Sequence, residues 1–416
     1  MNNKIYQKQV SLLLKILPEI AKETCFALHG GTAINLFIRD MPRLSVDIDL
    51  TYIPIEDRKK SLQKINEALS RIKRQVEIML LDARVQHKKD IAKLIISLQG
   101  IQIKVEVNLI SRGVLGHPSK MFLCERAQIE YDAFVGIQVV SLGQLYGGKI
   151  CAALDRQHPR DLFDIKYLLD HEGISEEVKA GFLLCLIGSD RPIHEIIAPH
   201  LLDQRTAMSN QFAGMSSEKF TYDEYEKTRD RLIFTINQAL TSKDKLFLLS
   251  IKKLNPNWDL YDFQRFPMVK WKIQNLKKLK ILHPKKYQNQ CDLLKYQLFH
   301  SDFAAKNPMP ILIEILTKKK GNELVQLTKE ALEMGVDIND SFNGHRPLQC
   351  LIRATLDPRK KFELMKRFVN LGADVHSSDT SGTPYQISIS KKNKRISDFL
   401  RSNGGYEESF FQEMEE

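Results

Sequence analysis

Val46-Asp47-Ile48-Asp49-Leu50 alternates apolar and acidic residues with period two. That is the pattern of a β-strand with two unlike faces. Both carboxylates project from one face, and the apolar residues point the other way. Two acids side by side on a half-buried strand repel unless something neutralises them. Mg²⁺ does so well, because it takes one or two carboxylates and completes its shell with water and phosphate oxygens. Two such ions can activate an attacking oxygen and stabilise a leaving group. A second alternating run, Ile101 to Leu109, carries Glu106 as a third acid.

An isolated Asp-x-Asp is more often a solvated surface pair, so the order of the surrounding elements matters. Cys25 to Leu28 suits a buried strand. His29-Gly30-Gly31-Thr32 breaks it, and Ala33 to Arg39 reads as a short helix with Thr32 as its N-cap. Glycines let a backbone approach phosphates closely, and a helix N-terminus offers free N–H donors. His29, beside the turn, is read as a structural hydrogen-bonder and is left out of the site.

Elsewhere the pattern gives helices at 4–24 and 57–74, strands at 76–81 and 92–98, and mainly helix from 141 onward. Leu142 to Arg156 is a helix with Lys149 and Arg156 on one face, seven residues apart. Pro159 fits position N1 of the next helix. Arg160 and Asp161 then lie in its first turn, with Asp161 and Asp164 at i, i+3. The bland reading of this block is an ion-pair network tying two helices together.

These blocks resemble the AbiEii/AbiGii toxin family within the polymerase-β-like nucleotidyltransferases. The matching residues are Leu28 to Ala33, Arg43 to Leu50, Lys104 to Asn108, then Lys149, Arg156 and Arg160 to Asp164. Looser matches run from Gly214-Met215 through Pro256-Asn257-Trp258 to Leu276. The resemblance implies an α/β nucleotidyltransferase core, a mixed sheet with flanking helices, over residues 1–170. A mostly α-helical, basic substrate-binding domain would follow at 171–304. It implies Asp47, Asp49 and Glu106 as ligands of Mg²⁺ or Mn²⁺. Lys149 would contact the NTP phosphates, and Asp161 would orient Lys149 or take a proton. Gly30, Gly31, Thr32, Ser45, Arg156 and Arg160 would complete the nucleotide site. The implied acceptor is RNA, specifically a tRNA 3′ end, and the implied partner is a cognate antitoxin.

The charge distribution is compatible with this. The 416-residue chain carries a net charge of +11, and Lys243 to Lys295 holds 12 Lys and one Arg against four Asp, an excess of nine. A basic patch of this kind is the electrostatic footprint of a nucleic-acid binder. Val269, Ile273, Leu276 and Leu279 form an apolar stripe, with Lys270, Lys272, Lys277, Lys278 and Lys280 around it and Trp258, Trp271 and Tyr287 nearby. A membrane-surface helix is the weaker reading, because packing needs that stripe.

From about residue 305 the character changes. Gly335-Val336-Asp337-Ile338-Asn339 recurs 37 residues later as Gly372-Ala373-Asp374-Val375-His376, and Gly344 to Leu348 echoes as Gly382 to Tyr385. This resembles degenerate ankyrin repeats, so 305–416 is expected to be an ankyrin-like α-repeat tail, either a surface for a protein partner or a cap. The six cysteines are scattered without a CxxC, which reads as reduced thiols without zinc or disulfides. No apolar run reaches the ~18 residues of a membrane span, and the N-terminus lacks a signal-peptide pattern. A cytoplasmic location is expected, with export by another route left open. Two other functions compete: a non-catalytic scaffold built on the tail, and nucleotidylation of a protein or small molecule.

Overall fold

The computed structural model describes residues 2–299, 309–333, 338–339, 341 and 344–405. By packing, the chain forms two compact units, Met1–Leu294 and Lys295–Glu416. The stretches read as catalytic core and basic helical domain lie together in the first unit up to Leu294.

That unit is built on a seven-stranded mixed sheet of order β3-β4-β5-β2-β1-β7-β6. The strands are β1 (Phe26–His29), β2 (Asp47–Tyr52), β3 (Arg84–Lys88), β4 (Lys93–Leu98), β5 (Ile101–Val107), β6 (Ser119–Phe122) and β7 (Gly136–Val139). The centre is parallel where β2 meets β5 and β1 meets β7, and antiparallel where β1 meets β2. Helices α1 (Asn2–Ala21) and α3 (Arg58–Met79) pack on the strands, α3 over β3 and β4. Between them α2 (Gly30–Ala33) runs into a π-helical turn ending at Ile38.

Asp57 caps α3, its carboxylate accepting from the Lys59 and Lys60 amides. Ile65, Leu69, Ile72 and Val76 are buried at helical spacing, so the strand expected at 76–81 is instead the end of this helix. The strand itself comes later, at β3. Thr32 is not an N-cap either: it lies inside α2, and His29 occupies the cap position without a side-chain cap bond.

After α4 (Glu125–Tyr131) come α5 (Leu142–Asp155), α6 (Pro159–Asp170) and α7 (Glu176–Gly188). Pro159 is at N1 of α6, as its sequence requires. A Cβ on Gly147 or Gly181 would collide with backbone atoms of the opposite helix, so α5 and α7 touch main chain to main chain. Short helices α8 (Ile193–Ile197) and α9 (Arg205–Ala207) lead to α10 (Tyr222–Ala239), α11 (Ser242–Lys252), α12 (Pro267–Leu282) and α13 (Pro284–Phe299), within which the first unit ends. On α12, Val269 and Leu276 are buried, as the stripe implies, but Lys272 is buried with them. It therefore does not belong with the surface lysines. Tyr287 is buried too, while Trp271 is 46% exposed.

In the second unit the helix pairs α14/α15 (Met309–Lys318, Gly321–Glu333), α16/α17 (Pro347–Arg353, Pro358–Asn370) and α18/α19 (Pro384–Ser390, Lys394–Ser402) follow one another, with α14 against α16 and α16 against α18. Asn339 reaches across to Gly372 O (2.8 Å) and the Asp374 amide (2.6 Å). Gly335 to Asp337 of the first sequence copy lie outside the described residues. All six cysteines are free thiols, and among the described residues no helix is long and apolar enough to cross a membrane.

Candidate active site

Strand register sets the geometry. His29 on β1 is opposite Asp49 on β2, Asp49 is opposite Glu106 on β5, and Glu106 is opposite Lys93 on β4. One row across the sheet is thus His29, Asp49, Glu106, Lys93, with Asp47 two residues down β2 on the same face. Gly30 closes over Asp49: its φ is +71°, and a Cβ there would collide with Asp49 Oδ2. Burial pushes the Asp49 carboxyl up to about 6, and the charges of Asp47 and Glu106 push it the same way. Neither Asp47 nor Asp49 takes part in an ion pair among the described residues. Glu106 does, with Lys93 at 2.7 Å.

Among the described residues no three His, Cys, Asp or Glu side chains converge closely enough to hold a metal by themselves. The two aspartates fit a hard cation that brings most of its own shell, as Mg²⁺ does when it sits on one or two carboxylates and a nucleotide. The partly buried Asp49 carboxyl, without an ion pair among the described residues, is the feature such a cation would relieve.

Helices α5 and α6 supply the opposite wall. Lys149 is buried, its Nζ 3.0 Å from both Asp161 Oδ1 and Asp164 Oδ2. Burial opposes its charge, but the two carboxylates outweigh this and hold its pKa above the ordinary lysine value. Arg156 Nε lies 2.6 Å from Asp161 Oδ2, and Arg43 pairs with Asp164 through Nε (2.8 Å) and Nη2 (2.6 Å). Asn35 donates to Asp164 Oδ1 at 3.0 Å. Against the cost of burial, Lys149 and Arg156 keep Asp161 well below the usual carboxylate range. Arg160 lines the same wall without an ion pair among the described residues, and burial lowers its pKa.

The walls enclose a cleft of about 350 Å³. Gly30, Gly31, Ser45, Asp47, Asp49, Glu106, Lys149, Arg156, Arg160 and Asp161 all line it; Thr32 does not. The Thr32 hydroxyl donates to Ser45 Oγ (3.0 Å) and to the Asp47 carbonyl, so it props the floor beneath β2. Charge is largely segregated: Asp47, Asp49 and Glu106 on the sheet side, Lys149, Arg156 and Arg160 on the helix side together with Asp161, the partner of Lys149 and Arg156. A second cleft, about 380 Å³, shares His29, Asp49, Glu106 and Gly148 with the first and extends past Leu184, Phe266 and Met268. The sequence reading missed one residue here. Arg43 was quoted only as part of a motif, although a buried Asp164 demands a cation. His29, read from the sequence as a structural hydrogen-bonder, has its Nε2 3.4 Å from the Gln144 carbonyl and also lines both clefts; burial pushes its pKa down to about 4, which leaves it neutral at pH 7.

The sequence matches the family described as "Nucleotidyl transferase AbiEii toxin, Type IV TA system" over residues 11–263. No curated protein matches it. Among solved structures it is similar to MenT4, a nucleotidyltransferase toxin from Mycobacterium tuberculosis H37Rv, at 12% identity and a TM-score of 0.45, covering 70% of this chain and 93% of that one. With well over half its length matched, the chain belongs to the AbiEii family of nucleotidyltransferase toxins.

Proposed function

We propose that this nucleotidyltransferase moves a nucleoside monophosphate from an NTP to the 3′ end of an RNA, with tRNA as the acceptor, and so arrests translation. The observation that carries this is the meeting of two clefts at Asp49 and Glu106. One carries on its helix side cations suited to a triphosphate. The other is mixed in polarity and suited to an acceptor nucleoside.

The acceptor 3′ oxygen forms a bond to the α-phosphorus while the α–β phosphoanhydride bond breaks, and the electron pair leaves with pyrophosphate. The hydroxyl proton passes to Glu106, whose carboxylate lines both clefts. Asp161 is a poor base, because Lys149 and Arg156 hold it ionised, so its role is to fix Lys149. A divalent cation on Asp47 and Asp49, Mg²⁺ or Mn²⁺, would neutralise the pair and stabilise charge on the attacking and leaving oxygens. Gly30 and Gly31 let the phosphates approach the backbone, and Arg160 and Arg156 hold them. A cognate antitoxin follows from membership in a type IV toxin–antitoxin family.

The second unit is read as ankyrin-like. Stacked helix pairs and the Asn339 bonds to the next copy support this, and its exposed face would recruit a protein partner.

The test is label transfer. The protein is incubated with Mg²⁺, each α-labelled NTP and total tRNA, beside Asp49→Asn. Label on tRNA with wild type alone is expected. Label appearing on the protein or on a small molecule instead would replace the RNA reading.

A further inference from the structure

The third cavity of the first unit, about 150 Å³, is lined by Lys252, Lys272, Trp271, Asn275 and Gln290, with Asp190 the one carboxylate among its lining residues. It shares the Gly188–Ser189 wall with the second cleft. Gly188 has no side chain, and Met268 packs directly on its backbone.

Two lysines are buried here, and among the described residues neither forms an ion pair, although Asp190 and Glu195 act on Lys272 from a distance. Lys272 Nζ donates to the carbonyls of Ser189 (2.5 Å) and Arg191 (2.9 Å). Lys252 Nζ donates to Gln290 Oε1 at 2.6 Å and lies over the Tyr287 ring, 5.7 Å from its centre. Each ammonium has three donors, so hydrogens remain for a further acceptor. A buried charge is costly unless paired, and the missing partner is an anion. Trp271 lies at the mouth, 46% exposed, on a helix that also carries Lys270, Lys277 and Lys278. An exposed aromatic beside cations is the arrangement on which single-stranded nucleic acid stacks.

We propose that the second cleft takes the terminal nucleoside of a single-stranded RNA acceptor, that Lys252 and Lys272 bind a backbone phosphate upstream of it, and that Trp271 stacks a base at the mouth. The inference rests on the RNA reading above and adds the path of the acceptor strand.

The competing account is structural. Lys272 sits at the C-terminal end of α7, where a cation satisfies carbonyls and the helix dipole. The test separates the two with the full chain and a 5′-fluorescent single-stranded oligoribonucleotide, read by anisotropy across a salt series without divalent metal. Lys272→Met and Lys252→Met are each expected to weaken binding about tenfold and to reduce the salt slope by about one. Trp271→Ala should weaken it about tenfold with the slope unchanged. Mg-NTP affinity should match wild type in all three. Its exposed ring makes Trp271→Ala the informative variant if Lys272→Met does not fold. Variants that melt lower but bind the oligonucleotide like wild type leave Lys272 a helix cap and overturn the track. So does equal affinity for a blunt duplex. If wild type labels tRNA and the variants label it equally well, the track falls and the RNA reading stands. If wild type binds Mg-NTP yet neither binds nor labels any RNA, both fall together.

Discussion

Arg43 and Asp164 are joined by two parallel hydrogen bonds, 2.8 and 2.6 Å, with both side chains buried. The pair ties the segment before β2 to α6, and Lys149 and Asn35 add two more donors to the same carboxylate. Removing one partner of a buried pair leaves an uncompensated charge and costs about 3–5 kcal/mol. Asp164→Asn should therefore lower stability by that order in urea or thermal melts. Arg156→Ala, whose side chain is 61% exposed, should cost no more than about 1 kcal/mol. A melt of Asp164→Asn that overlays wild type would refute the structural role.

Asp49 behaves in the opposite sense. Its folded-state pKa of about 6 lies above the unfolded value near 3.9. Ionisation therefore costs the folded state nothing below about pH 4 and its full amount above about pH 6. At pH 7 without metal, Asp49→Asn is expected to be more stable than wild type by about 1–3 kcal/mol, while losing transfer activity. Added Mg²⁺ should raise the melting temperature of wild type and leave the variant unmoved. Calorimetry with and without EDTA reads both.

Gly181 on α7 has no room for a methyl group, because a Cβ would collide with Gly143 O on α5. Gly181→Ala should push the helices apart and cost about 1–3 kcal/mol. Since Lys149 is carried on α5, the variant should also weaken Mg-NTP binding, measurable by titration calorimetry.

Lys272 gives a pH signature. Burial first, and then Lys252, bring its pKa down to about 8, against smaller upward effects of Asp190 and Glu195. Below pH 8 it is charged folded and unfolded. Between about 8 and 10.4 the unfolded chain binds more protons, so this group makes stability rise with pH, by about 3 kcal/mol in all. Lys272→Met should lack that rise when its chemical denaturation is compared with wild type at pH 7.5 and 10.

The Asp47–Asp49 and Glu106 strands were legible because one buried face imposes period two on six or seven residues. The end of α3 was misread because Val76 to Leu81 taken alone is apolar enough for a strand. Only its step from Ile65, Leu69 and Ile72 marks it as helix. Strands β6 and β7, four residues each, are too short to show alternation, and tertiary pairing makes them. Helical spacing put Lys149 on one face with Arg156 and Asp161 on one face with Asp164, while the Lys149–Asp161 contact came from the family resemblance. The Arg43–Asp164 pair, 121 residues apart, had no local signal. Lys272 was read as surface because lysines surround it, and only packing against the end of α7 reveals its burial.

The segregated walls of the first cleft carry a consequence for selectivity. Asp47, Asp49 and Glu106 on the strands face Lys149, Arg156 and Arg160 on the helix side, and Asp161 of α6 with Arg43 before β2 brings the lining to four formal charges of each sign. A cavity neutral as a whole offers little to a ligand on the strength of its total charge. It discriminates by sequence of charge along the ligand, favouring a molecule positive at the end that meets β2 and negative at the end that meets α6. Inorganic phosphate or a bare polyanion satisfies one wall and offends the other, so the cleft reads polarity, much as a keyed plug is accepted in one orientation.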